Sequence, residues 1–162
     1  MPDPSDTWSL SEEQLLHIGR NALWLEKYRE AYEALSEYCD RLKKRHRWIP
    51  PATLACYGLA VGYAENVREG TNICLEAFSQ DRHNANIHFC LARLYVLAGS
   101  KRNAIEVITQ GLRLSRGHRG LNALRKALGV RQSLPIPFLS RQNAVNVRLG
   151  RALRKLKGNS TA

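Results

Sequence analysis

The most constraining feature of this chain is a register that repeats at an interval of about 34 residues, a common length for one helical hairpin. Gly58 and Ala92 are aligned by that shift, and so are Cys56 and Cys90. A third copy lies upstream around Gly19. The interval from Gly19 to Gly58 is longer than the interval from Gly58 to Ala92, so a longer connection is expected between the first two copies. A fixed period of this length predicts stacked helical hairpins, because one hairpin alone cannot bury its apolar face.

Apolar residues recur at helical spacing through most of the chain, and polar or Pro-containing turns separate the segments. Ser11 and Gln14 are spaced as a capping box at the first helix, whereas Pro50 and Pro51 must interrupt any helix. We predict an all-α chain organised as follows: a flexible N-terminus at 1–10; a repeat array at 11–130, with hairpins at about 12–45, 51–84 and 85–118 and a partial repeat at 119–130; an apolar strap at 131–140; a basic amphipathic capping helix at 141–157; and a tail at 158–162.

The residue types within each copy resemble the tetratricopeptide repeat (TPR). The first copy departs from the family pattern, because Ala22 replaces an aromatic residue and Tyr38 fills a small-residue position, so its packing is expected to be distorted. The resemblance implies a right-handed solenoid of about three helix–turn–helix repeats with C-terminal capping helices. The third copy, counted from Ala85, fits the pattern best, through His88, Leu91, Ala92, Tyr95, Ala104, Ile108 and Gly111.

The resemblance also implies a binding surface. In this family the first helix of each hairpin lines a concave groove that takes a peptide or helix of a partner protein. The implied groove is apolar, with arginines and aromatic residues of the kind that dominate binding energies. An apolar or acidic peptide or helix would suit it. The groove residues are His17, Arg20, Leu23, Trp24, Cys56, Leu59, Tyr63, Asn86, Phe89, Cys90, Arg93 and Leu97.

Two alternatives for these groove residues stay open at the level of sequence. Trp8 could fold back so that the N-terminus occupies the groove, and Tyr63 and Phe89 could simply pack between repeats. The function that the implied groove predicts is a protein–protein interaction module, acting as an adaptor, scaffold or chaperone-like subunit. Self-association through an exposed end of the array is a further alternative.

Positive charge is concentrated at the C-terminal end. The whole chain carries +11, yet residues 1–100 hold 11 Lys and Arg against 13 Asp and Glu, while residues 101–162 hold 14 against one acid, Glu106. Such a surface attracts acidic proteins, nucleic acid or anionic membranes, and a nucleic-acid-associated or anionic-surface-binding protein is the alternative function. Alternatively, the final helix has only a structural role: its apolar face covers the last hairpin, and its cations remain in contact with water. The basic surface comprises Arg116, Arg119, Arg125, Lys126, Arg148, Arg151, Arg154 and Lys155.

Chemistry-bearing motifs are missing from the sequence. The four cysteines show no metal-ligand spacing and fall within apolar helical patterns, which favours buried free thiols and a reducing cytoplasm. Neither a secretory leader nor a membrane-length apolar run is recognisable. No G-x-S-x-G nucleophile motif, P-loop or HExxH motif occurs. We therefore expect a non-enzymatic protein with no catalytic residues, no metal and no cofactor.

Overall fold

The computed structural model describes residues 10–129, and all regular structure within that range is helical. The helices belong to one compact unit that ends at Leu128. Successive helices pack against one another, and α3 also packs against α5, as in a helical-repeat solenoid. The helices are α1 (Glu12–Trp24), α2 (Tyr28–Lys44), α3 (Pro51–Ala64), α4 (Val67–Gln80), α5 (Ala85–Leu97), α6 (Lys101–Leu114) and α7 (Arg119–Ala127).

Local side-chain chemistry sets where several helices begin. The predicted capping box is present at α1: the Ser11 hydroxyl accepts from the Gln14 N–H at 3.2 Å, and the Gln14 side chain accepts from the Ser11 N–H at 2.8 Å. Asn66 and Asn84 cap α4 and α5 in a similar way. Each cap satisfies backbone N–H groups that have no partner inside the helix. The start of α1 is therefore where the capping box predicted it.

Three helix ends share one backbone motif. Glu26, His46 and Gly99 adopt left-handed φ angles of 58°, 51° and 71° immediately after the caps of α1, α2 and α5. In each case the N–H of the next residue returns to a carbonyl in the last turn, for example Arg47 to Leu42 at 2.9 Å. This is the Schellman motif, for which glycine is the favoured residue because it lacks a Cβ.

Small residues allow adjacent helices to approach closely. A Cβ on Gly70 of α4 would lie 2.4 Å from the Gly58 carbonyl oxygen and 2.5 Å from the Gly62 nitrogen of α3. A Cβ on Gly111 of α6 would lie 2.6 Å from Leu121 of α7. The helix backbones are therefore in direct contact at α3 and α4, where no side chain fits between them.

Apolar packing runs through the array. One core cluster of buried residues extends from Ala22 of α1 to Leu121 of α7. Tyr38 belongs to a second, smaller cluster with Leu15, Cys39 and Leu42, between α1 and α2. The bulky Tyr38 is thus accommodated in a separate cluster at the first hairpin. The predicted strap at 131–140, the basic helix at 141–157 and Trp8 lie outside the described residues.

Candidate functional site

The predicted groove residues fall into three classes of exposure. Leu23, Leu59 and Cys90 are buried, with 8%, 3% and 5% of their surface exposed. These three side chains belong to the core and offer little accessible area to a binding partner. Four others, Cys56, Tyr63, Phe89 and Arg93, are half-buried, and His17, Arg20, Trp24, Asn86 and Leu97 are exposed.

Arg93 of α5 is enclosed by aromatic rings from three helices. Its guanidinium lies 4.9 Å from the ring centre of Tyr63, 5.5 Å from that of Tyr28 and 5.8 Å from that of Phe89. It also donates a hydrogen bond to the Tyr28 hydroxyl and lies 3.5 Å from the Glu26 carboxylate. We call Arg93, Tyr28, Tyr63 and Phe89 the arginine–aromatic cluster. A cation over aromatic faces is stabilised by the ring quadrupoles, and more strongly when water is excluded.

The electrostatics of this cluster fix its protonation state. Burial raises the pKa of Tyr28, and the attraction of Arg93 only partly opposes that effect. Burial alone would lower the pKa of Arg93, yet the neighbouring Tyr63 and Tyr28 leave it raised. The cluster therefore pairs the Arg93 cation with a neutral phenol at Tyr28. Because only 14% of the Arg93 side chain is exposed, this arginine has little capacity left for a ligand's carboxylate.

Tyr28 and Glu26 were not among the predicted groove residues. Tyr28 begins α2, and its ring stacks on Tyr63 with centres 4.1 Å apart. It stands 65 residues from Arg93 along the chain, so no local spacing connects the two. Only the stacking of three hairpins brings them together.

Phe89 and Asn86 contact the start of α7. The Phe89 ring centre lies 5.5 Å from that of His118, and the Asn86 amide oxygen lies 3.1 Å from His118 Nε2. A Cβ on Gly120 would lie 2.5 Å from the Phe89 ring, so α7 sits directly against it. Packing between repeats, the alternative left open above, therefore describes Phe89 and Tyr63 in this structure.

The first hairpin presents an open part of the predicted groove. An open depression of ≈ 430 Å³ is lined by Glu13, Leu16, His17, Arg20 and Asn21 of α1. At the end of the same helix, Trp24 is 85% exposed and Leu25 is 57% exposed. Exposed aromatic and arginine side chains on one helix are the composition that binding hot spots favour.

The charged residues divide into a paired and an unpaired set. Seven cations between Lys27 and Arg93 form ion pairs in the structure. Among residues 10–129, no ion pair involves a residue beyond Arg93. Of the predicted basic surface, Arg116, Arg119 and Lys126 are exposed, and Arg125 is half-buried and donates to the Asn122 side chain at 3.1 Å. The other four members, Arg148, Arg151, Arg154 and Lys155, lie outside the described residues.

Comparison with known proteins shows the fold but no family. No protein-family model matches the chain, and no curated protein matches it. A solved structure titled "Molecular features of the UNC-45 chaperone critical for binding and folding muscle myosin" superposes with a TM-score of 0.58 at 18% identity. The match covers 74% of this chain but only 13% of that chain. The chain is a helical-repeat protein.

Helix length and hydropathy limit which segments could enter a membrane. In the part of the chain that the structure describes, no helix is long and apolar enough to cross a bilayer.

Proposed function

We propose that this chain is a tetratricopeptide-type interaction module that binds a protein partner along the first helices of its hairpins. The observation that carries the proposal is that equivalent positions near the ends of α1, α3 and α5 hold Trp24, Tyr63 and Leu97, of which Trp24 and Leu97 are exposed. Trp24 is 85% exposed, Tyr63 is half-buried, and Leu97 is 42% exposed. Tyr63 and Leu97 are one repeat interval apart, so they occupy the same place in adjacent hairpins.

The exposure of Trp24 supports a binding role on energetic grounds. A large aromatic side chain left in water forgoes about 1.5–3 kcal/mol of burial free energy, which a partner can recover. Tyr63 also belongs to the arginine–aromatic cluster, in which its ring stacks on Tyr28 and contacts Arg93. A surface fixed in this way loses less conformational freedom on binding.

The proposed partner is an apolar or acidic peptide or helix. Trp24 and Leu97 offer apolar contacts, and Arg20 is an exposed cation one turn before Trp24 on α1. Arg93 is enclosed within its cluster, whereas Arg20 is exposed and makes one side-chain hydrogen bond, to Thr53, so Arg20 is the better candidate for a partner's carboxylate. A ligand with apolar anchors and one acidic group therefore fits the described residues.

Assignment to the tetratricopeptide class rests on the period and on the helix bounds. α3 and α5 begin one repeat interval apart, at Pro51 and Ala85, and so do α4 and α6, at Val67 and Lys101. The solved structure that the chain resembles concerns a chaperone, which is consistent with an adaptor, scaffold or chaperone-like subunit. We propose binding without catalysis, in the cytoplasm, where free thiols such as the four found here persist.

A second function is favoured by the unpaired cations. Lys101, Arg102, Arg113, Arg116 and Arg119 are exposed, and none forms an ion pair with another described residue. Clustered unpaired cations attract anionic partners such as nucleic acid or a membrane surface. Binding of that kind would weaken steeply as salt is raised, whereas apolar groove binding would not.

The test uses two exposed tryptophans as a matched pair. The wild-type chain captures partners from nuclease-treated lysate, and the affinity of the purified partner is then measured by calorimetry. We expect Trp24→Ala to weaken binding by about 30-fold, the effect of losing a hot spot of about 2 kcal/mol. Trp48→Ala is the control, because Trp48 is 69% exposed but lies in the connection between α2 and α3. Equal affinities for Trp24→Ala and wild type would refute the groove proposal.

A further inference from the structure

The end of α2 and the connection that follows it carry a run of cationic side chains that finishes in a tryptophan. All the residues of this run are exposed, and 69% of the tryptophan surface is accessible to water. We call this run the basic–tryptophan loop. Its residues are Lys43, Lys44, Arg45, His46, Arg47 and Trp48.

The backbone of the loop is anchored on both sides of Trp48. The Arg47 N–H donates to the Leu42 carbonyl at 2.9 Å, within the Schellman end of α2. Ile49 packs against both apolar clusters, and Pro50 immediately precedes α3. Because the residues before and after Trp48 are held in place, the exposed ring loses little backbone freedom when a ligand binds.

Two guanidinium groups of the loop are held by one carboxylate. Arg45 Nη1 lies 2.6 Å from Glu12 Oε1, and Arg47 Nη1 lies 2.6 Å from Glu12 Oε2. The Nε and Nη2 atoms of both arginines donate to no other described residue. The two arginine side chains are 65% and 58% exposed. Their remaining donors are therefore available to the oxygens of a phosphate, which the guanidinium fork matches in geometry.

The loop stays positively charged after its ion pairs are counted. Lys43 lies 4.0 Å from the Asp40 carboxylate, and the two arginines share Glu12. Lys44 forms no ion pair with any residue of 10–129. Four cations set against two carboxylates leave a charge of +2, with His46 taken as neutral. A partner that complements this loop is therefore anionic.

The exposed tryptophan discriminates among anionic partners. A duplex keeps its base faces stacked inside, so an aromatic ring has no base to stack on. An anionic membrane requires a larger apolar area than Trp48 alone supplies, because the neighbouring Ile49 already packs on the core. Unpaired RNA offers phosphates together with free base faces, and such bases stack on aromatic side chains and on guanidinium planes.

We propose that the basic–tryptophan loop binds single-stranded RNA, with Trp48 stacking on a base while Lys44, Arg45 and Arg47 contact the neighbouring phosphates. The residues of this site are distinct from the predicted groove and from the unpaired cations that follow Arg93. The proposal therefore goes beyond the proposed function and does not depend on it. Capture from nuclease-treated lysate, the test of the groove, removes RNA and leaves this loop out of the measurement.

The test measures binding of the full chain to a fluorescently labelled oligouridylate by fluorescence anisotropy. An oligomer of about 12 nucleotides lies within the range of single-strand site sizes. We expect Trp48→Ala to weaken the affinity about tenfold through loss of stacking. Trp48→Phe should retain most of the affinity, because it keeps an aromatic face. Far-UV circular dichroism spectra that match wild type establish that each variant is folded.

A charge variant tests the phosphate contacts. Arg47→Gln should weaken binding and reduce the slope of log affinity against log salt by about 0.7, the change for one phosphate contact on a single strand. Arg68→Gln is the matched control and should bind as wild type does. Arg68 is exposed at the start of α4 and forms no ion pair with another described residue.

Several results would overturn the proposal. Equal affinities for Trp48→Ala and wild type would mean that the ring does not stack on RNA. An RNA duplex bound as tightly as the single strand would reduce the loop to a phosphate contact. A loss of binding in Arg102→Gln but not in Trp48→Ala would assign the RNA to the cations beyond Arg93. Trp48-dependent binding to phosphatidylserine vesicles, without binding to oligouridylate, would assign the loop to a membrane surface.

Discussion

At the scale of single residues, the three Schellman ends show where the chain tolerates local strain. Gly99 meets the left-handed conformation without cost, but Glu26 and His46 occupy it with a Cβ in place. The left-handed conformation costs a non-glycine residue roughly 1–2 kcal/mol. Glu26 forms an ion pair with Arg93 in addition to adopting this conformation. His46 is exposed, and its hydrogen bond to another described residue is made by its backbone N–H, to the Lys43 carbonyl.

His46→Gly is therefore expected to stabilise the protein by about 1 kcal/mol, because it removes the Cβ penalty and leaves the backbone motif intact. The measurement is the free energy of unfolding from urea titration. Gly99→Ala is the reciprocal variant and should destabilise by a similar amount, since a Cβ at Gly99 meets no described residue within 4 Å but its φ of 71° opposes the change. A destabilised His46→Gly protein would count against this interpretation of the α2 end.

At the scale of elements, α3 and α4 pack directly through their glycines. Gly58, Gly62 and Gly70 meet there backbone to backbone. Because backbone atoms cannot rotate away as a side chain can, any added Cβ must push the helices apart.

Gly70→Ala is expected to destabilise the protein by about 1–3 kcal/mol, as overpacking does elsewhere, although alanine is the better helix former. Gly117→Ala is the matched control, because a Cβ at Gly117 meets no atom of residues 10–129 within 4 Å. Urea denaturation of both variants measures the difference. If Gly70→Ala were as stable as Gly117→Ala, the close approach of α3 and α4 would be incorrect.

At the scale of the whole molecule, contacts join neighbouring helices in order along the chain. The separate cluster of Leu15, Tyr38, Cys39 and Leu42 stabilises the first hairpin, and Leu121 of α7 is buried at the other end of the array. Stability in a repeat array is approximately a sum of repeat and nearest-neighbour terms. The two ends should therefore respond separately to mutation.

Leu121→Ala should lower the free energy of opening α6 and α7 by about 2–5 kcal/mol. Hydrogen-exchange protection should therefore fall mainly in those two helices. Leu15→Ala, at an equally buried position, should reduce protection mainly in α1 and α2. Native-state hydrogen exchange with fragment analysis resolves the two patterns. A uniform loss of protection across α1–α7 in both variants would mean that the array unfolds as one cooperative unit.

The sequence by itself determined the elements and their repetition. Ser11, Pro50 and Gly99 mark helix boundaries through chemistry that acts within one turn, and the repeat period predicted that the hairpins stack. Gly58 and Gly70 meet within one hairpin, where residues close in the chain bring α3 and α4 together.

Only the tertiary structure decided which groove residues face solvent. Trp24 and Leu59 were predicted to line the same groove, yet Trp24 is 85% exposed and Leu59 is 3% exposed. The enclosure of Arg93 by Tyr28 and Tyr63 depends on how far each hairpin is rotated and shifted against the next. Those quantities are set by packing between residues distant in the chain, which local periodicity does not encode.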